Sequence, residues 1–195
     1  MVYRIAKILL CVIFNVLFRI KITGTEHIPR SGGVIICANH ADALDPILMA
    51  LAVKRKLRFI GKRELFENKA FALLLRSLGA FPVDRDNTDI RAYKNVIKLL
   101  ANGEVLLLFA QGTRKKDIDV SNNKSGVAFF GIKAKVPIVP LGITASYKPF
   151  SKVYINIGKP ISLDRYYGAR LKTELLNEIT EEAMSQIISL TGNKL

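Results

Sequence analysis

The sequence has no tryptophan, two cysteines, two histidines, and sixteen acidic side chains against thirty basic ones. Each shortage closes off a class of function. Cys11 sits in an apolar run and Cys37 in an expected core strand, which makes neither a disulfide framework nor a metal site and fits a reducing compartment. The aromatic residues fall mostly inside apolar runs rather than between lysines and arginines, so the stacking platforms of a nucleic-acid binder are missing. The apolar run from Ile8 to Phe18, broken by Asn15, is shorter than the roughly 20 residues of a bilayer-spanning helix. No small-residue cleavage site follows it, so a secretory leader describes it poorly.

What is present is positive charge on a globular, apolar-leaning composition. The formal charge of +14 draws the chain to polyanions, whether nucleic acid, anionic lipid or phosphorylated small molecules, and does not by itself choose among them. At 195 residues, half of them hydrophobic, the chain supports one core without staples. Arg4, Lys7, Arg19 and Lys21 bracket the N-terminal apolar run. Periodicity alone fits a buried helix or an interfacial one; the flanking cations favour residues 1–19 as a helix on an anionic membrane surface. Residues 20–195 then form the remaining domain.

Short apolar runs alternate with helical patterns along that domain, which predicts an α/β fold with a mostly parallel mixed sheet flanked by helices. Strands are expected at Gly33 to Ala38, Leu57 to Gly61, Ala80 to Asp84, Glu104 to Ala110, Val136 to Ala145 and Lys152 to Gly158, with "RIKITG" as a further edge strand. The clearest helix runs from Thr88 to Asn102, with Ile90, Tyr93, Ile97 and Leu100 on one face and Gly103 as its stop. Others are expected over Pro46 to Val53, Glu67 to Leu78, Ser125 to Lys133 and Lys172 to Ser189.

Four strand ends deliver a histidine or a cation. In "ANHADALDP", His40 follows a buried strand and Asp45 precedes Pro46, as an N-cap precedes the first helical residue. If Ala41 to Leu44 form a turn, Asp45 also reaches His40, leaving the other ring nitrogen free as a general base. Asp42 is a rival partner. "FAQGTRKKD" offers Gly112 for close backbone approach, Thr113 for its hydroxyl and Arg114 for bidentate phosphate contact, or else a solvated basic turn. "GAFPVDRDN" presents Arg85 between acids, and "FIGKRELF" presents Lys62 and Arg63. Parallel strands would bring all four loops to one edge, where ligands bind in such sheets.

Taken together these motifs resemble the 1-acylglycerol-3-phosphate (lysophosphatidate) acyltransferases of the glycerophospholipid acyltransferase superfamily. "NHADALD" looks like their NHxxxxD motif, "GAFPVDR" their second, "FAQGTRK" their third and "VPIVPLGI" their fourth, in order from about Ile20 to Ile161. The resemblance implies acyl transfer from acyl-CoA or acyl carrier protein to the sn-2 hydroxyl of lysophosphatidate, with no cofactor or metal. It implies His40 as base and Asp45 as the residue that orients it. Arg85, Gly112, Thr113 and Arg114 would hold the phosphate with help from Lys62, Val136 to Pro140 would shape the acyl side, and the setting would be the cytoplasmic face of the cell membrane. Two positions depart from the pattern, Gln111 for the usual Glu and Ala110 for Pro. Glutamine at the substrate loop keeps an acceptor and gains donors without the charge. The alternatives are an acceptor that is another lysophospholipid or a lyso-aminolipid, or a non-catalytic protein that binds anionic lipid.

Overall fold

Strand β2, Val34–Ala38, is the axis of the sheet, because all five of its side chains are buried. An uninterrupted apolar strand is stable only where both faces are covered, as in the middle of an α/β sheet. In a computed structural model, which describes residues 2–83, 90–110 and 126–192, β2 lies parallel to both its neighbours. These are β5, Val105–Phe109, and β6, Ile138–Ala145. Beyond β5 come β3, Leu57–Lys62, and β4, Ala80–Val83, both parallel to it in direction. On the other side β7, Lys152–Ile157, runs antiparallel to β6, and β1, Arg19–Thr23, lies parallel to β7 at the edge. The order is β1-β7-β6-β2-β5-β3-β4, so the expected mixed, mostly parallel sheet is present and "RIKITG" is its edge strand.

Alternation along β2 sends its side chains to two separate cores. Val34, Ile36 and Ala38 pack with Phe14 and Phe18 at the end of α1 (Val2–Leu17) and with Leu48 and Met49 of α2 (Asp45–Ala52). Ile35 and Cys37 pack on the opposite face with Val96 of α4 (Ile90–Ala101), Val127 of α5 (Gly126–Ala134) and Ile179 of α6 (Thr173–Gly192). Each fully buried Leu, Ile or Met in these layers contributes about 1.5–3 kcal/mol. A shorter helix, α3 (Lys69–Ser77), follows a 3-10 turn at Arg63–Phe66 and leads into β4.

The face of α4 differs from the expected one. Ala92, Val96 and Leu100 are buried, whereas Ile90 and Tyr93 are exposed. The small Ala92 lets the helix approach its neighbours closely, and a reading by large apolar residues alone overlooks it. Tyr93 instead meets the rings of Phe129 and Phe130 edge-on and tilted.

Only a narrow stripe of α1 is seated. Phe14 is buried, with Phe18 just past the helix end, while Ile8, Leu9, Val12, Ile13 and Val16 are exposed. Lys7 Nζ donates to the Val53 carbonyl at 2.5 Å, and burial lowers the pKa of its ammonium. Among the described residues no helix is long and apolar enough to cross a membrane.

Because β2 to β6 are mutually parallel, their C-terminal ends share one edge of the sheet. The path to that edge depends on Gly79, which turns from α3 into β4 at φ 98°, and where a Cβ would lie 2.2 Å from the Leu57 carbonyl oxygen. We predict that Gly79→Ala lowers stability by about 2 kcal/mol or more, combining left-handed strain with backbone overlap. Urea denaturation measures this, and an unchanged midpoint contradicts it.

Candidate active site

The site begins where β2 stops pairing through its backbone. The last β2–β6 register pair is Ala38 with Leu141. Beyond it the buried Asn39 side chain takes over the ladder: Nδ2 donates to the Ile143 carbonyl at 2.9 Å, and Oδ1 accepts from the Ile143 N–H at 2.9 Å. One side-chain amide thus replaces a backbone peptide and fixes the point at which the chain turns out of the sheet.

His40 leaves at that point. Its ring stacks on Phe109 at the end of β5, with centroids 3.8 Å apart and planes 14° from parallel. Nδ1 lies 2.9 Å from Asp45 Oδ2. The side chain is 12% exposed, so the ring is held by protein yet not sealed from the surface. The intervening residues form the required turn, with the Asp45 N–H donating to the Asp42 carbonyl at 3.2 Å. Asp42 is not the partner, since its Oδ1 accepts from the Leu44 N–H at 2.9 Å inside that turn.

Asp45 is wholly buried. A buried carboxylate is tolerated only when its oxygens are hydrogen-bonded, and here both are. Oδ2 also accepts from the N–H groups of Ala41 at 2.7 Å and Asp42 at 2.9 Å, and Oδ1 accepts from the Tyr147 hydroxyl. These bonds correct the expected cap. Asp45 is the first residue of α2, its N-cap position is occupied by Leu44, and no side chain caps the helix. The carboxylate points back into the turn, and Pro46 in the first helical turn removes one N–H that would otherwise lack a partner.

The tautomer follows from the donors and acceptors. A carboxylate oxygen only accepts, so in the neutral ring of His40 it is Nδ1 that carries the proton and Nε2 that keeps its lone pair. That arrangement can take a proton from a hydroxyl. Cys37, three residues earlier, offers no alternative nucleophile, because burial pushes its thiol up to about 12 and keeps it protonated.

The sequence pattern of the family described as Acyltransferase matches residues 19–144, which run from β1 into β6 and contain Asn39, His40, Asp45 and Phe109 but not Tyr147. The chain belongs to the acyltransferase family. Among its relatives, the 1-acyl-sn-glycerol-3-phosphate acyltransferase of Bacillus subtilis is 29% identical over 197 residues, covering 99% of this chain and 98% of the relative. The Streptococcus pneumoniae protein of the same name is 35% identical over 147 residues, which are 71% of this chain and 54% of the relative. The crystal structure of PlsC, the 1-acyl-sn-glycerophosphate acyltransferase of Thermotoga maritima, superposes with a TM-score of 0.76 at 23% identity. It covers all of this chain and 79% of that one, a likeness of fold.

Within this acyltransferase, His40 and Asp45 are in contact, and Lys62 is exposed at the end of β3 on the same edge of the sheet. Arg85, Gln111, Gly112, Thr113 and Arg114 lie outside the described residues; the strands before them, β4 and β5, end at that edge. Of the Val136 to Pro140 stretch, Val136, Ile138 and Val139 are core. A small apolar depression lies beside α2, between Lys7, Leu10, Ile47, Leu51, Phe59 and Leu78.

Three contributors escaped the sequence reading. Asn39 and Phe109 stand inside quoted motifs, and an Asn directly after a buried strand was a usable signal for a side chain that extends the ladder. Tyr147 lies 102 residues from Asp45, and no local pattern joins them. We predict that Asn39→Ala costs about 2 kcal/mol or more, because two buried backbone groups of Ile143 lose their partners. Chemical denaturation measures the loss; a change below about 0.5 kcal/mol would show that water replaces the amide.

Proposed function

We propose that the chain transfers an acyl group from a thioester donor, acyl-CoA or acyl carrier protein, to the sn-2 hydroxyl of 1-acylglycerol-3-phosphate, forming phosphatidate. The relatives' names supply the substrate class. The observation that carries the chemistry is a histidine whose Nδ1 is committed to a buried carboxylate, leaving Nε2 as a base at the strand-end edge.

On this reading His40 Nε2 removes the hydroxyl proton as the oxygen attacks the thioester carbonyl. The tetrahedral intermediate collapses with loss of the thiolate, and the imidazolium returns the proton to sulfur. No acyl-enzyme is needed when both substrates are bound side by side. Asp45 stabilises the transient imidazolium and keeps its ring in place. Arg85 and Arg114, with Lys62, Gly112 and Thr113, are the proposed phosphate holders, since guanidinium groups match phosphate oxygens bidentately. Gln111 would contribute hydrogen bonds without adding negative charge beside the phosphate.

Residues 1–19 are the proposed membrane-associating part. The wide exposed apolar face of α1, together with flanking cations, suits a helix lying in the interface of an anionic bilayer on the cytoplasmic side. Such an attachment keeps the site beside a sparingly soluble acceptor.

His40→Ala is expected to reduce lysophosphatidate-dependent thiol release from acyl-CoA by about a hundredfold or more. Release that persists at the parental rate would rule out His40 as base, and no release by the parent protein from acyl-CoA or acyl carrier protein would rule out the activity. Replacing Ile8, Val12 and Val16 by Glu should sharply reduce co-sedimentation with vesicles containing phosphatidylglycerol while leaving the thermal midpoint unchanged, because these side chains make no core. Undiminished sedimentation would remove α1 as the attachment.

A further inference from the structure

We propose that Tyr147 is a positioning residue for the reaction: by donating its hydroxyl to Asp45 Oδ1, it holds the carboxylate so that Oδ2 faces His40 Nδ1. The inference rests on the acyltransferase reading above and deepens it.

Two independent observations point to Tyr147. Its hydroxyl donates to the one Asp45 oxygen that neither His40 nor the turn engages. Without it, Oδ1 would be a buried acceptor with no partner, and rotation about the carboxyl bond would exchange the two oxygens between a poor site and a good one. Its backbone sits in the left-handed region, φ 56°, a conformation that costs an aromatic residue free energy and persists only where the surroundings hold it.

Those surroundings are the junction between α1 and β1. The Tyr147 ring meets Phe18 edge-on, with centroids 6.4 Å apart at 82°. The loop that carries it is tied to the same junction by Phe150 N–H to the Leu17 carbonyl at 2.6 Å and Arg19 N–H to the Ser151 carbonyl at 2.9 Å. Tyr147 therefore stands on a braced loop, with its hydroxyl aimed at the carboxylate. A histidine base works through the direction of one lone pair, so an error of orientation at Asp45 is passed directly to Nε2.

Tyr147→Phe tests this, because it keeps the ring against Phe18 and removes only the hydroxyl. The expected result is a fall in kcat of about ten- to hundredfold, the scale of a lost hydrogen bond to a charged group, with both KM values within about twofold. In an Asp45→Asn background the same substitution should change the residual rate by less than about twofold, since the two residues act as one unit. A role in scaffolding alone predicts equal losses in both backgrounds, and that result overturns the proposal.

A second readout does not require turnover. With two histidines in the chain, nitrogen-15 spectra of histidine-labelled protein in micelles are assignable by His27→Gln. His40 should report a single Nδ1-protonated tautomer in the parent and a mixture of tautomers in Tyr147→Phe. Identical His40 spectra in the two proteins overturn the proposal. A parent protein silent with every donor defeats the acyltransferase reading instead, and the spectra then still decide whether Tyr147 sets the dyad.

Discussion

The buried carboxylate of Asp45 is the constraint on which the rest of the site depends. Taking an isolated carboxylate from water into a protein interior costs several kcal/mol even after relaxation, so the surroundings must supply donors. Four converge on it: the His40 ring, the N–H groups of Ala41 and Asp42, and the Tyr147 hydroxyl. Two come from the turn itself, which means that the conformation of residues 41–44 and the burial of Asp45 stabilise each other. A turn that opened would leave the charge short of partners, and an apolar residue at 45 would leave the turn without its acceptor.

This coupling explains why the sheet is ordered as it is around the dyad. His40 needs a strand to deliver it, and β2 does so from the centre. Phe109 from β5 on one side supplies the face on which the ring stacks, and Ile143 from β6 on the other side fixes Asn39 immediately before it. Only a parallel arrangement puts the C-terminal ends of β2, β5 and β6 at one edge, and only a strand inside the sheet has a neighbour on each flank. The short connection from β2 into α2 then places the carboxylate, because α2 begins at the residue that must be buried.

Much of this was legible in the sequence wherever it is written locally. The apolar runs placed all seven strands to within a residue or two, most plainly at β2, where a strand buried on both faces leaves no polar position to blur its limits. The H-x4-D spacing pointed to the dyad on condition that residues 41–44 turn, and they do. Contacts that close over long separations in the chain were not legible. Tyr147 finds Asp45 through the α1–β1 junction, and Asn39 finds Ile143 across 104 residues, pairings that follow from topology rather than from any motif. The helix cap misled for a related reason: Asp before Pro is a local signal for capping, but the burial of that side chain gave its oxygens better-placed donors upstream than the helix N–H groups. On α4, amphipathicity judged by large side chains missed the turn set by Ala92.

The N-terminal helix faces two demands at once. Its seated stripe must be firm, because Phe14 and Phe18 complete the core beneath α2, and Phe18 also bears on Tyr147. Its remaining surface stays apolar and exposed, which in water costs free energy and favours association. A helix needed only for the core would have polar residues there, and a helix serving only as an anchor would have no reason to place an aromatic side chain against the loop that braces Asp45. Both properties in one segment are consistent with attachment and active-site support being met by opposite faces of the same helix. Under the proposed attachment and the proposed role of His40 as base, both faces would be used, because the reach of the base would be set by where the helix lies and its aim by what the helix supports.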